Sequence, residues 1–294
     1  MPAVRGGFPA GGLAFSTLAF PSEPLADAVK LGNDLGYDAI ELRLVDGELV
    51  DPAALDRAAR DRVRRILGGM PVVALDSSIR LVEDGAAEAI ESFLELADDW
   101  GAPVVRVFGG NLDDDPEQRR RQLDSVVAVL ERAAPAAHRH GVSVALETHD
   151  SFSSAAQVAA ALVRVPDERV GAVWDSHHPH RMGETPAEIW SVIGGRVLLA
   201  QVKDARRSSE QQSGWQLVPL GAGEVPVREM LEVLQRHGYR GAVSVEWERR
   251  WHPELAEAGV ALSQHIELLR RWIGEMQRTG EMQRTGETGR EEAS

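Results

Sequence analysis

Short runs rich in Val, Leu, Ile and Ala recur eight times along this chain, and each is followed by a longer amphipathic segment. That alternation is the pattern of parallel strands joined by helical crossovers. The predicted strands are Leu13–Phe15, Ala39–Leu42, Val72–Leu75, Val104–Val107, Val142–Leu146, Val170–Trp174, Val197–Val202 and Ala242–Val245. The predicted helices fall within Pro24–Leu35, Pro52–Leu67, Ala86–Trp100, Pro116–His140, Ala155–Val165, Pro186–Ile193, Pro226–His237 and Ala256–Ile273. Eight β/α units in about 270 residues is the size of a closed (β/α)8 TIM barrel, here expected as a single domain over residues 1–274. An open, doubly wound sheet would call for a glycine-rich phosphate turn after the first strand, and Phe15-Ser16-Thr17-Leu18 offers none.

Polar residues stand at the ends of the last four apolar runs. Glu147 ends Val-Ala-Leu-Glu, Asp175 ends Gly-Ala-Val-Trp-Asp, Gln201 follows Leu-Leu-Ala, and Glu246 ends Val-Ser-Val-Glu. In a closed parallel barrel such positions converge at one mouth, where catalytic residues project. Three carboxylates placed together on apolar strands repel one another at a severe desolvation cost, so a positive charge must lie among them. The chain has no cysteine, which removes thiolate ligands. Carboxylate and amide oxygens suit a hard divalent cation, and Mn²⁺ or Mg²⁺ is the expected cofactor, bound by Glu147, Asp175, Gln201 and Glu246.

Charge narrows the partners. At 294 residues the formal net charge is −14, with a pI near 5.1, which opposes nucleic-acid or anionic membrane binding. A small sugar-like molecule is the expected partner, with self-association into a homo-oligomer left open. No apolar run approaches the roughly 20 residues needed to cross a bilayer, and Met1 to Gly12 lacks the apolar stretch of a signal peptide; the expected location is cytoplasmic. From Glu275 the text turns into Glu-Met-Gln-Arg-Thr-Gly, written twice. It has little to bury, and residues 275–294 are read as a disordered tail.

Glu147 with His149, Asp175 with His178, Gln201 with Lys203 and Asp204, the turn Leu220-Gly221-Ala222-Gly223-Glu224-Val225 and the terminal Glu246 together resemble the xylose isomerase-like TIM barrels. The resemblance covers about residues 12 to 273. It implies a metal-dependent enzyme of the sugar isomerase and epimerase kind, in which Glu147 and Glu246 serve both as ligands and as an acid/base pair on opposite faces of an enediolate intermediate. The commoner pattern has His where this chain has Gln201. The dehydroshikimate dehydratases of the superfamily are similar in carrying Gln there, which makes a lyase of the dehydroshikimate or inosose dehydratase type the alternative. A sugar-binding barrel without turnover is the alternative of another class. The endonuclease branch, with its histidine-rich sites, fits poorly.

Further candidates lie at the same mouth. His178 and Lys203 are proton-transfer or charge-stabilising groups, the latter otherwise an ion-pair partner of Asp204 or Glu246. Glu41, Arg43, Arg106, His149 and Trp247 are candidate substrate contacts, although Glu41 and Arg43 could pair with each other and tryptophans serve cores and interfaces equally well. His177 and His180 are read as loop residues without a chemical role. Asp113 to Asp115 is read as a helix cap, and Asp204 to Gln216 as a mobile flap.

Overall fold

The structure is a computed structural model that describes residues 8–291, with side chains described through residue 279. In chain order its elements are β1 (Leu13–Ser16), α1 (Leu25–Leu35), β2 (Ala39–Leu42), β3 (Leu44–Val45), β4 (Glu48–Leu49), α2 (Arg57–Leu67), β5 (Val72–Arg80), α3 (Ala86–Trp100), β6 (Val104–Phe108), α4 (Pro116–His140), β7 (Ser143–Glu147), α5 (Ala155–Leu162), β8 (Val170–Asp175), α6 (His177–Arg181), α7 (Pro186–Ile193), β9 (Val197–Val202), β10 (Asp204–Arg207), β11 (Trp215–Val218), α8 (Val227–Arg236), β12 (Ala242–Val245) and α9 (Ala258–Glu291). Strands β1, β2, β5, β6, β7, β8, β9 and β12 close into a parallel barrel, a single-domain (β/α)8 TIM barrel.

Alternation along each strand sorts residues between two layers. One apolar cluster draws on all eight barrel strands: Ala14, Ala39, Val73, Ala74, Val104, Ala145, Val173, Leu199 and Ala242. This is the packed interior, and its alanines suit the narrow space inside a closed sheet. Their strand neighbours Phe15, Ile40, Leu75, Val105, Leu146, Trp174, Ala200 and Val243 belong to the larger cluster shared with the helices, including Leu25, Leu94, Leu130, Leu231 and Leu269. Continuing the alternation two residues past the interior plug reaches Ser16, Glu41, Asp76, Arg106, Glu147, Asp175, Gln201 and Ser244, and two further reaches Arg43, His149, Lys203 and Glu246. The pleat that buries the alanines thus aims a polar layer at the C-terminal mouth.

Helix ends follow their local chemistry. Asp115 accepts from the backbone N–H groups of Glu117 and Gln118 and caps α4, and Thr185 with Glu188 forms a reciprocal capping box at α7. Gly36, Gly101 and Gly141 end α1, α3 and α4 in the left-handed region. Several boundaries differ from the sequence expectation. The third barrel strand runs on to Arg80 because its outer half pairs with β6 beyond a register shift. The stretch read as a flap is built as the antiparallel β10–β11 hairpin. The final helix spans Ala258–Glu291, and Met276 is still packed on the core; most of the expected tail lies outside the residues whose side chains are described.

Candidate active site

All four residues expected to share a cation stand at the same end of the barrel, on consecutive strands. Glu147 and Asp175 close β7 and β8, Gln201 is the penultimate residue of β9, and Glu246 directly follows β12. Register explains the alignment: Asp175 pairs with Gln201, Gln201 with Ser244, and Glu147 with Val173. All four are buried.

Their partners differ in kind. Asp175 Oδ1 accepts from the backbone N–H groups of His177 and His178 at 2.8 and 3.0 Å, while Oδ2 lies 3.2 Å from Lys203 Nζ. Lys203 Nζ also lies 2.6 Å from Glu246 Oε2 and bonds Glu248 Oε1. Lys203 therefore joins three carboxylates rather than pairing with Asp204. Those neighbours hold its ammonium well above the usual lysine range although burial acts the other way. Glu246 is pushed up to about 8, burial being the main cause, with Lys203 opposing and the charges of Glu248, Glu147 and Asp175 adding to it. Burial also raises Glu147, against the attraction of Arg106.

Arg106 anchors the other side of the mouth. Its Nε lies 3.0 Å from Glu147 Oε2 and 3.5 Å from Asp76 Oδ1, Nη1 donates to Ser77 O at 2.9 Å, and the guanidinium stacks 4.0 Å above the Phe108 ring. Arg43 does not pair with Glu41; its Nη1 donates to the Asp76 carbonyl at 3.0 Å. Glu41 instead accepts from Gln201 Nε2 across the barrel, and burial together with the Asp76 charge lifts its carboxyl well above the usual range. Asp76 and Glu248 went unnamed in the sequence reading. Both carried a readable signal, since Asp76 follows the apolar run Val-Val-Ala-Leu and Glu248 is one alternation step past Glu246.

The histidines form one wall. His149 Nδ1 lies 2.9 Å from Asp150 Oδ1, and its ring meets that of His178 at 4.5 Å, edge to face. Neither ring nitrogen of His178 has a hydrogen-bond partner, and burial holds it well below the usual histidine range, so it is a neutral donor or acceptor. Glu147, His149 and His178 bring ligand atoms within 4.8 Å of one another, a second grouping able to hold a cation. His177 is not a loop residue: it opens α6, packs against the Trp215 ring and is pulled by burial down to about 4. Trp247 is turned away from the mouth: its Nε1 donates to Ala256 O at 2.9 Å and its ring packs on His265, so it serves the core.

Asp204 and the glycine turn are also accounted for. Asp204 Oδ1 accepts from the backbone of Ala205 and Val225, and Oδ2 from Gly221 and Gly223. A Cβ at residue 223 would stand 2.2 Å from Oδ1, so glycine there lets the loop close over the aspartate and Lys203 next to it keeps its place.

The buried oxygens fit a cation. Gln201 Oε1 is buried without a hydrogen-bond donor, while Asp175 Oδ2 and Glu147 Oε2 face the charged Lys203 and Arg106. Six carboxyls (Glu41, Asp76, Glu147, Asp175, Glu246 and Glu248) share the mouth with three cationic side chains (Arg43, Arg106 and Lys203), an excess of acidic groups that a divalent ion would offset.

Comparison with known proteins agrees with this architecture. An inosose isomerase of Halalkalibacterium halodurans is 28% identical over 134 residues, 42% of this chain and 45% of that protein, so the chain spans under half of the curated relative it matches. The crystal structure of the IOLI protein with a bound zinc atom superposes with a TM-score of 0.75 at 20% identity, covering 90% of this chain and 99% of that one. A probable 3-DHS dehydratase, AsbF, from Bacillus anthracis superposes with a TM-score of 0.69 at 17% identity, covering 88% and 98%. The family described as xylose isomerase-like TIM barrel matches residues 29–272. A closed eight-stranded barrel with polar strand ends at one mouth, matched by the family over well more than half of the chain, settles the membership: this chain belongs to the xylose isomerase-like TIM barrels.

Proposed function

We propose that the protein is a divalent-metal-dependent isomerase or epimerase of a sugar or keto-sugar. The observation that carries this reading is the meeting of Asp175, Glu246 and Lys203 at one mouth, beside Glu147 and an amide oxygen of Gln201 that has no donor. Glu147, Asp175, Gln201 and Glu246 would hold the ion, with His149 and His178 beside Glu147. A cation bound there supplies Lewis acidity to a carbonyl and its neighbouring hydroxyl, which acidifies the adjacent C–H.

The remaining chemistry belongs to the side chains. Glu246, held 2.6 Å from Lys203, is the carboxylate that accepts and returns the proton. Arg106, pinned by Ser77 O and Phe108, fixes Glu147 on the opposite side, so two carboxyls address two faces of a bound substrate. Lys203 places a positive charge beside the developing enediolate. His178, with both nitrogens unpartnered, is available to a substrate hydroxyl. Burial of the whole set keeps water from the carbanion-like species.

One observation favours dehydration instead: Gln201 stands where dehydroshikimate dehydratases resemble this chain, and the AsbF structure shares the fold. The two outcomes diverge only after proton abstraction, by reprotonation or by loss of a β-hydroxyl. Incubation of the Mn²⁺-, Mg²⁺- or Zn²⁺-loaded protein in D₂O with a panel of keto-sugars, free and phosphorylated, and with dehydroshikimate tests both. Deuterium incorporation with an isomeric product supports the first reading, and an unsaturated product the second. No exchange with any substrate, despite bound metal, favours a binding protein.

A further inference from the structure

Gln201 is an ambiguous ligand by itself, because its amide offers an oxygen and a nitrogen on one plane and only the oxygen ligates a hard cation. Here the ambiguity is resolved from the far side of the barrel. Gln201 Nε2 donates to Glu41 Oε1 at 2.5 Å, across 160 residues of sequence. Both side chains are fully buried, and Gln201 Oε1 is left without any donor. Glu41 is set by the register of β2 between Ser16 on β1 and Ala74 on β5, and its side chain is fully buried. A flipped amide would withdraw Nε2 from Glu41 Oε1 and aim its N–H groups at the carboxylates' cation.

We propose that Glu41 is a positioning residue: it locks the Gln201 amide so that Oε1 alone faces the ligand set, making glutamine a dependable oxygen donor at this strand end. The inference rests on the reading of Gln201 as a metal ligand. Its energetic content is that of an outer-shell contact orienting a ligand, for which losses of about 10- to 100-fold in metal affinity are typical. Any residue at 41 that presents a hydrogen-bond acceptor should serve, and an apolar one should not.

The test is Mn²⁺ affinity, measured by isothermal titration and by electron paramagnetic resonance of free Mn²⁺, on the full-length protein and the variants Glu41→Gln, Glu41→Leu, Gln201→Ala and Glu41→Leu/Gln201→Ala, each checked for native circular dichroism. Glu41→Leu is expected to weaken Mn²⁺ binding by about tenfold or more, while Glu41→Gln, which keeps a carbonyl acceptor, stays within about threefold of wild type. In the Gln201→Ala background Glu41→Leu should add nothing, since there is no amide left to orient. Equal losses in Glu41→Gln and Glu41→Leu, or an undiminished effect of Glu41→Leu without Gln201, overturn the positioning role. Unchanged Mn²⁺ affinity in Gln201→Ala would remove Gln201 from the ligand set and the proposal with it. Should Glu41→Leu fail to fold, Glu41→Met with the same double variant decides the question.

Discussion

Glu246 is the residue on which the proposed chemistry turns, and its properties come from its surroundings. Burial and three neighbouring carboxylates raise it, and Lys203 at 2.6 Å limits the rise. Glu246→Gln keeps a ligand oxygen and the shape of the side chain but cannot carry a proton. We expect native stability and measurable Mn²⁺ binding, with kcat reduced by about 10² to 10⁴; wild-type turnover in the metal-loaded variant would take Glu246 out of the acid/base role. Gln201 is the position where this chain departs from the commoner histidine. Gln201→His exchanges an oxygen donor for nitrogen, so competition between Zn²⁺ and Mn²⁺ should shift towards Zn²⁺ with the product unchanged. Identical metal preference in the two proteins would count against Gln201 as a ligand.

Among elements, the loop after β9 shows how a motif read as chemistry divides between chemistry and architecture. Lys203 points to the carboxylates, whereas Asp204, its neighbour, accepts four backbone N–H groups and holds the turn at Gly221–Val225. Opposite pleat faces of consecutive residues make that division unavoidable. Gly223→Ala would bring a Cβ to 2.2 Å from Asp204 Oδ1 and 2.5 Å from Ala205 O. We expect a loss of roughly 1–3 kcal/mol in urea unfolding, with Gly69→Ala, which meets nothing within 4 Å, as a control changing stability by less than about 0.5 kcal/mol. Equal effects at the two glycines would contradict the packing account of the turn.

For the molecule as a whole, the helical layer contains its own sensitivity to acid. His265 on α9 is 1% exposed, neither ring nitrogen has a partner, and burial alone takes it from 6.5 down to about 3. Its folded pKa is depressed, so above about 6.5 it costs nothing; as pH falls below that, the unfolded chain takes up the proton while the folded one does not. Stability should therefore fall by up to about 1.4 kcal/mol per pH unit on its account between those two values. Thermal melts of His265→Leu and wild type should diverge increasingly below pH 6.5, and parallel pH profiles would refute the assignment. The amino-acid sequence by itself determined the eightfold alternation, the barrel it closes into and the strand ends that carry Glu147, Asp175, Gln201 and Glu246, because periodicity and burial act over a few residues and are written locally. Only the tertiary structure decided which polar groups meet. That Lys203 joins Asp175, Glu246 and Glu248, that Gln201 leans on Glu41 from the opposite wall, that Arg43 serves Asp76 rather than Glu41, and that Trp247 turns into the core all depend on contacts between distant strands. Barrel closure and strand stagger set those contacts, and neither is encoded in any single run of the chain.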